Sequence, residues 1–381
     1  MSTGVFHTLG ADPGIYAVFV TSLGGFTCKL EQVRAPRTTA NFVGLAEGSN
    51  VWVDFRTGEN KLEPYYDGTI FHRVVSNFVI QGGARQVGGN LEGPGYSFRD
   101  EFYSELKHDS AGVLSMANSG PNTQASQFFI TVVTNFASGD GKYSVFGHVT
   151  DGLDVVYAIN RVPVTNERPI VDVVLSNVAI VRVGSEAEAF DSNAYGRPVV
   201  TGTTAGLLKS RTNLCVTFDR GTNSVPYCFF SSNLASWTRA ELGFSTNTEP
   251  TNRYDVTRFT TNGTRQFFHM TQVSYPGPVY TPVSPEGWSF HMYFPDYGET
   301  FDQWLYGNAT GTWRYGASSG SILYYSWTPG AYLGRLYVVY DVLYPMLYDY
   351  AFDTPGSNRV RQTIYSTSTP QYWGAYTNGN R

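Results

Sequence analysis

The sequence predicts a mainly β protein with more than one domain. A chain of 381 residues is too long for one small domain, so two or three are expected. Only 15% of the residues are charged, another 15% are aromatic, and there are 40 glycines and 27 tyrosines. This composition favours β structure and argues against a coiled coil or a disordered chain. Short apolar runs between Gly, Pro, Asn, Thr and Ser clusters point the same way.

The first 184 residues mix strand-like runs with two helical stretches. One helix begins near Pro36, because proline suits the first turn of a helix, and continues to Ala46 with an apolar stripe. The other covers residues 153–162, where apolar side chains recur at helical spacing. Strand-like runs cover residues 16–21, 24–30, 79–82, 127–133 and 173–183. We predict one domain over residues 1–184.

The rest of the chain has no convincing helix. The polar residues 185–189 predict a linker. Strand-like runs then alternate with turn-forming clusters, a spacing typical of an all-β sandwich or barrel. A Pro-Gly break divides this region into a small β domain over 190–276 and an aromatic-rich β domain over 279–381. The runs cover residues 214–218, 227–231, 266–273, 289–294, 322–326 and 335–343.

Charge and hydropathy restrict the partners. The net charge is −5, and neither half of the chain is basic, so no nucleic-acid partner is expected. The apolar runs are a handful of residues long, which predicts no transmembrane helix.

The cysteines and the N-terminus give information on the cellular compartment of the protein. Cys28, Cys215 and Cys228 lack the Cys-x-x-Cys spacing of a metal or redox motif. Cys215 and Cys228 either bridge neighbouring strands in an oxidising compartment or remain two buried thiols. Residues 1–4 lack the basic and apolar regions of a signal peptide. The low lysine content and polar β texture still favour a periplasmic or secreted protein over a cytoplasmic one.

The segment from Tyr65 to Gly147 carries the motifs. Its blocks are YYDGTIFHRVV (65–75), NFVIQGG (77–83), GVLSMANSGPNT (112–123), SQFFIT (126–131) and KYSVFG (142–147). In this order and spacing they resemble the cyclophilins, a family of peptidyl-prolyl cis–trans isomerases, over about residues 13–184. The resemblance implies an eight-stranded antiparallel β-barrel capped by two helices, joined here to the all-β C-terminal region.

The implied reaction is the cis–trans isomerisation of X-Pro bonds during protein folding. Rotation is slow because it breaks amide resonance, a barrier of ~18–20 kcal/mol. A catalyst has to bind the twisted amide better than either planar isomer, and it needs neither a cofactor nor a covalent intermediate. In the twisted state the prolyl nitrogen gains a lone pair. A rigid, permanently charged arginine directed at that nitrogen lowers the barrier.

The resemblance assigns roles to individual residues. Arg73 matches the catalytic arginine, Gln81 the glutamine that orients it, and Asn118 the residue whose backbone holds the amide before proline. Residues matched to the peptide groove and the proline cup are Phe78, Val79, Met116, Ala117, Ser119, Gln127, Phe129, Phe136 and Tyr143. Read alone, Arg73 would be a surface ion-pair residue, Phe78 and Phe129 would be core residues, and Gln127 would satisfy buried backbone. The surrounding motif favours the site roles.

The histidines suggest no further chemistry. His72 lies beside Arg73 in the sequence and invites a general-base role, but we interpret it as a packed, hydrogen-bonded structural residue. No histidine pairs with carboxylates in a metal pattern, so neither a metal nor another cofactor is expected.

The chain departs from the common pattern in the pocket wall. Phe136 stands where many eukaryotic members carry a tryptophan that bonds cyclosporin, and Ala137 follows where leucine is usual. Val79 replaces a common methionine and Tyr143 a common histidine. Changes at the tryptophan and histidine positions are familiar in bacterial-type members, which remain isomerases. We therefore expect catalysis to persist and cyclosporin binding to be weak.

Two regions leave alternatives open. Residues 49–64 are longer than the minimal family loop, and Trp52 and Phe55 within them pack either on the barrel or on the second half. The segment is either a docking loop or an ordinary packed insertion, and the second is favoured. The aromatic residues of the last hundred positions either fill a β core or present a face that binds polypeptide or glycan. In the second case the C-terminal half captures unfolded clients.

A further alternative concerns the function of the whole protein, which would then bind proline peptides in the same groove with little turnover.

Overall fold

The computed structural model describes residues 12–380 except 88, 197, 203–204, 210–213, 219–223, 235–236, 241, 245–252, 257–266, 275–287, 295–298, 307, 316, 330–332, 342–344, 352–356 and 365–370. The chain divides into two compact units. One comprises Met1–Ala117 and Ala125–Pro276, and the other comprises Asn118–Gln124 and Gly277–Arg381. The predicted boundary near residue 184, inside the first unit, stays a prediction.

The N-terminal part of the first unit consists of short strands and few helices. Its elements are β1 (Gly14–Thr21), β2 (Gly24–Leu30), α1 (Pro36–Glu47), β3 (Trp52–Val53), β4 (Asn60–Lys61), β5 (Thr69–Ile70), β6 (Arg73–Val75), β7 (Val79–Gly82), β8 (Arg85–Val87), β9 (Asn90–Glu92), β10 (Val113–Met116), β11 (Phe128–Thr131), a 3₁₀ turn (Ala137–Gly139), β12 (Val145–Asp151), α2 (Leu153–Asn160), β13 (Val164–Thr165), β14 (Arg168–Pro169), β15 (Val174–Val183) and α3 (Ser185–Glu188).

Nine of these strands form one antiparallel sheet in the order β5-β15-β1-β2-β12-β10-β11-β7-β6. Only Phe71 and His72 separate β5 from β6, the strands at its two ends, so the sheet has to curl until its edges lie near each other. The predicted mainly β architecture is confirmed. The sheet has nine strands where the resemblance implies eight, and one of the nine is the two-residue β5, which pairs with the start of β15.

Aromatic rings fill the space between α1 and the curled sheet. Phe19 stacks on Phe26 at 4.5 Å between ring centroids, and Phe42 meets Phe128 edge to face at 5.9 Å. All four side chains are essentially inaccessible to water. Burying each stabilises the fold by about 2 kcal/mol. α1 begins at Pro36, as predicted.

The insertion after α1 forms the two-stranded sheet β3–β4. Trp52 packs edge to face on Tyr65, at 5.2 Å, within the N-terminal part of the unit. Phe55 packs instead on Tyr227 and Phe229, at 5.9 and 5.7 Å. Both alternatives from the sequence therefore occur, each for a different residue.

The remainder of the first unit contains two four-stranded antiparallel sheets, ordered β16-β23-β19-β20 and β17-β18-β22-β21. Residues 185–189, predicted as a linker, contain the helical turn α3, in which Ala187 is buried. The strands are β16 (Val199–Gly202), β17 (Ala205–Lys209), β18 (Leu214–Phe218), β19 (Ser224–Ser231), β20 (Thr238–Ala240), β21 (Leu242–Phe244), β22 (Arg253–Val256) and β23 (Phe267–Ser274).

Two of the three cysteines are free, buried thiols, Cys28 and Cys228. Burial raises the pKa of Cys228 to about 12, so it is a protonated, unreactive thiol at neutral pH. A bridge from Cys228 to Cys215 is not formed, and the side chain of Cys215 lies outside the described residues.

The second unit contains a closed eight-stranded antiparallel barrel in which each strand pairs with the next and the last with the first. Its strands are β24 (Trp288–Phe294), β25 (Glu299–Leu305), β26 (Gly311–Tyr315), β27 (Ser318–Pro329), β28 (Leu333–Tyr340), β29 (Met346–Ala351), β30 (Ser357–Ile364) and β31 (Gln371–Asn380). Many of the crowded aromatic residues fill its interior, among them Trp313, Tyr325, Tyr340, Tyr348 and Tyr350. Within the described part of the chain, none of the helices has the length and apolar character needed to cross a membrane.

Candidate active site

Strand register brings three predicted site residues into one row. Arg73 on β6 pairs with Gln81 on β7, and Gln81 pairs with Phe129 on β11. Residues directly opposite each other in an antiparallel pair project to the same face of the sheet. The cation, the amide and the aromatic ring therefore lie side by side, although 56 positions separate Arg73 from Phe129 in the sequence.

A chain of hydrogen bonds holds the guanidinium of Arg73. Its Nη1 donates to Oε1 of Gln81 at 3.2 Å, and Nε2 of Gln81 donates to Oε1 of Gln127 at 3.0 Å. On the other side, Nε of Arg73 donates to Oε2 of Glu167 at 2.6 Å. The arginine side chain is 39% exposed, so it is oriented by its partners while remaining accessible to a peptide.

His72 is part of this network as a neutral group. It is buried, and burial lowers its pKa from 6.5 to about 4, while a hydrogen bond with Gln127 opposes the shift. Its Nδ1 has no hydrogen-bond partner among the described residues. A histidine that is neutral and enclosed at pH 7 agrees with the structural interpretation.

Four of the predicted pocket residues meet as an aromatic cluster. Phe129 meets Tyr143 edge to face at 5.4 Å, and Phe78 meets Phe136 edge to face at 4.8 Å. Phe136 links the two pairs, with centroids 6.3 Å from Phe129 and 6.1 Å from Tyr143. Edge-to-face rings leave an apolar wall of the kind that encloses a proline ring. Val79, two residues before Gln81 on the same face of β7, is buried beside them.

Two residues predicted at the groove edge, Ala117 and Met116, lie on different sides of the sheet. The backbone N–H of Ala117 donates to the carbonyl of Gln127 at 2.9 Å, so Ala117 lies beside the hydrogen-bonded row. Met116 pairs with Phe128, whose ring belongs to the interior aromatic core, and is itself fully buried. The structure thus places Met116 in the core and not with Phe129.

Asn118 and Ser119 lie in the turn that follows. Oδ1 of Asn118 accepts from the N–H of Gly120 at 3.3 Å. The N–H of Ser119 donates to Oγ1 of Thr123 at 2.8 Å, and that hydroxyl donates to the carbonyl of Gly120 at 2.7 Å. These bonds fix the backbone conformation of the turn.

Two residues at the site were not predicted from the sequence. His108 stacks on Phe129, with centroids 5.8 Å apart and planes 16° apart, and its ring nitrogens contact Asp140 and Ser115 at 2.9 and 3.0 Å. Burial lowers the pKa of His108, against the opposing effect of Asp140. Glu167 contacts Arg73 from a distant hairpin. Neither residue belongs to a motif block, so no local signal identified them.

The side chains of the described site are suited to binding a peptide. In the portion of the chain that the structure describes, no group of three or more His, Cys, Asp or Glu side chains is arranged to hold a metal ion. The groups that the site presents are the Arg73 cation with its Glu167 carboxylate, two amides and an apolar wall. Together they can bind a peptide and stabilise charge that develops on a prolyl nitrogen.

The N-terminal part of the chain is similar to known proteins. The family model for cyclophilin type peptidyl-prolyl cis-trans isomerases matches residues 16–183. Peptidyl-prolyl cis-trans isomerase B of Streptomyces anulatus is 44% identical over 170 residues, which cover 44% of this chain and 96% of that relative. Peptidyl-prolyl cis-trans isomerase A of Mycobacterium tuberculosis is 41% identical over 167 residues, 43% of this chain and 91% of the relative. A solved cyclophilin-type isomerase of Cryptosporidium parvum is 31% identical, with a TM-score of 0.37, and covers 44% of this chain and 96% of its own.

Proposed function

The chain belongs to the cyclophilin-type peptidyl-prolyl cis–trans isomerases, and from this premise we propose that Arg73 and the aromatic cluster around Phe129 form its catalytic groove. The chain is an isomerase of X-Pro peptide bonds, and proline-containing peptides are its substrates. The observation that carries the residue assignment is the row Arg73–Gln81–Phe129, which places a fixed cation next to an apolar wall.

The proposed mechanism needs only binding and electrostatics. The proline ring packs against the apolar wall formed by Phe78, Phe129 and Tyr143. As the amide twists, its resonance is lost and the prolyl nitrogen gains a lone pair. A free N–H of the Arg73 guanidinium donates to that nitrogen. Since Gln81 and Glu167 already orient the guanidinium, little reorganisation is needed at the transition state.

The test is a cis-to-trans assay on a proline tetrapeptide with Arg73→Ala. We expect kcat/KM to fall roughly 100-fold, the usual effect of removing one preorganised donor to developing charge. Arg168→Ala is the matched control, because Arg168 is exposed in the adjacent hairpin and pairs with Asp172 at 2.9 Å. A folded Arg73→Ala protein with wild-type turnover would refute the assignment.

A finer proposal concerns unfolded clients. A β-bulge where the register of β27 shifts between Ile322 and Tyr324 leaves two consecutive apolar side chains outside the barrel, Leu323 at 57% and Tyr324 at 50% exposure. Contiguous exposed apolar surface is typical of sites that bind other polypeptides. We propose that the C-terminal barrel contributes to the capture of unfolded chains.

A further inference from the structure

A glutamate occupies a turn position that favours glycine. Strands β13 and β14 are joined by the two residues Asn166 and Glu167, whose φ angles are +50° and +64°. Such two-residue turns need positive φ at both positions, for which Asn-Gly is the preferred pair. A non-glycine side chain in the left-handed region is destabilising, and such outliers cluster at functional sites. A glutamate at this position therefore points to a contact that glycine could not make.

The contacts of Glu167 identify that role. Its carboxylate Oε2 accepts from Nε of Arg73 at 2.6 Å, and its backbone carbonyl accepts from the N–H of Val74 at 2.6 Å. The turn is therefore docked along β6 by its backbone, and its side chain reaches the catalytic cation.

We infer that Glu167 is a positioning residue for Arg73, an inference that rests on the proposed role of that arginine. A guanidinium is planar, so acceptors at Nε and at Nη1 fix both its location and its plane. Glu167 supplies the first and Gln81 the second. The remaining N–H groups are then free to meet the prolyl nitrogen.

The carboxylate also places a negative charge next to the positive charge of Arg73. This charge weakens the electrostatic effect of the arginine on the transition state, whereas orientation of the guanidinium strengthens it. The two side chains are 39% and 50% exposed, so water and salt screen the charge strongly, whereas the hydrogen-bond geometry is short-ranged and persists. Orientation therefore outweighs charge compensation, and removing Glu167 lowers the rate.

Glu167→Gly separates this role from a structural one. Glycine removes the strain of a left-handed side chain from the turn, so the melting temperature rises. We expect kcat to fall roughly 10-fold with KM nearly unchanged, because a misaligned Arg73 stabilises the transition state less well and leaves substrate binding unaffected. Glu167→Gln keeps an acceptor oxygen and recovers most of kcat. Asn166→Gly is the matched control: it also removes a left-handed side chain and raises stability, but it leaves kcat at the wild-type value.

Side-chain NMR gives a readout independent of turnover. The Arg73 Nε–H resonance exchanges slowly with solvent in the wild type and in Glu167→Gln, and rapidly in Glu167→Gly. A kcat for Glu167→Gly equal to or above that of the wild type would overturn the inference. Arg73→Ala distinguishes the two failures: if it is inactive, only the role of Glu167 is refuted, and if it is fully active, the role of Arg73 is refuted as well.

Discussion

The neutral histidines next to the groove show how single residues connect stability and function. His72 adjoins Arg73 in the chain and contacts Gln127, while His108 supports the ring of Phe129. Both are buried, and burial lowers the pKa of each. Protonating His72 would place an uncompensated charge beneath the site, whereas Asp140 would partly compensate a charge on His108, so folding opposes the protonation of His72 above all.

Acid should therefore destabilise the protein as the pH falls below 6.5 toward 4. The unfolded chain protonates His72 below pH 6.5, whereas the folded chain does so only below about pH 4, so stability is lost as pH falls through this window. We expect His72 alone to lower the free energy of unfolding by about 3 kcal/mol at pH 4 relative to pH 7. Urea denaturation across that range measures the loss. His72→Asn should flatten the curve, and an equally steep curve in that variant would contradict the assignment.

Cyclosporin binding tests the pocket wall at the position of Phe136. A phenylalanine ring has no N–H to donate, so we expect weak binding of the drug. Phe136→Trp adds a donor, and one hydrogen bond of about 1 kcal/mol tightens binding roughly five-fold. Isothermal titration calorimetry of both proteins decides the point. A nanomolar dissociation constant for the wild type would refute the expectation.

Among the elements, those defined by local pattern were predicted and those defined by distant contacts were not. The runs 24–30 and 79–82 coincide with β2 and β7, since alternation and flanking glycines are local signals. Strands of two residues, such as β5 and β13, are too short to carry any periodicity. The motif blocks likewise indicated Arg73 and Phe129, whereas Glu167 is 94 positions from its partner.

The insertion 49–64 is the element whose packing the sequence left open. Phe55 is buried against β19, and Gly58, with φ of +74°, lies so close to Phe229 that a Cβ there would sit 3.0 Å from the ring. Oγ1 of Thr271 on β23 donates to Oδ1 of Asn60 at 2.9 Å. These contacts attach the sheet β16-β23-β19-β20 to the isomerase part of the same unit.

Removing the Phe55 ring should loosen that sheet. For Phe55→Ala we expect a loss of about 3 kcal/mol in the stability of β19 and β23, because a buried ring is replaced by a cavity. Hydrogen exchange of their backbone amides measures the change. Leu62→Ala, at a residue of the same insertion that is 65% exposed, is the control and should leave exchange unchanged. Unaltered protection in Phe55→Ala would show that the insertion does not hold the sheet.

On the scale of the whole molecule, the chain limits exposed sheet edges in two ways. Edge strands carry unpaired backbone N–H and C=O groups, which can pair with other chains. The isomerase sheet is curled with its end strands two residues apart in sequence, while the C-terminal barrel is closed by pairing β24 with β31. Inside that barrel the hydroxyl of Tyr340 donates to that of Tyr348 at 2.9 Å, so polar atoms of its buried tyrosines are paired with each other. Many of the described aromatic residues there pack inside the barrel, whereas Leu323 and Tyr324, like Tyr293 and Tyr315, are exposed. Leu323 and Tyr324 differ from the other two in being consecutive in the sequence.

Leu323→Ser with Tyr324→Ser, made in the full chain, tests whether the barrel captures clients. If it does, turnover of a proline-limited unfolded protein falls several-fold while turnover of a tetrapeptide is unchanged, because a tetrapeptide is too short to occupy two binding sites at once. Leu23→Ser with Val33→Ser removes two exposed apolar side chains from the isomerase part and serves as the control. Deleting residues 279–381 should reproduce the selective loss. If the double variant turns over both substrates at the wild-type rates, the function is restricted to the groove and the barrel has a purely structural role.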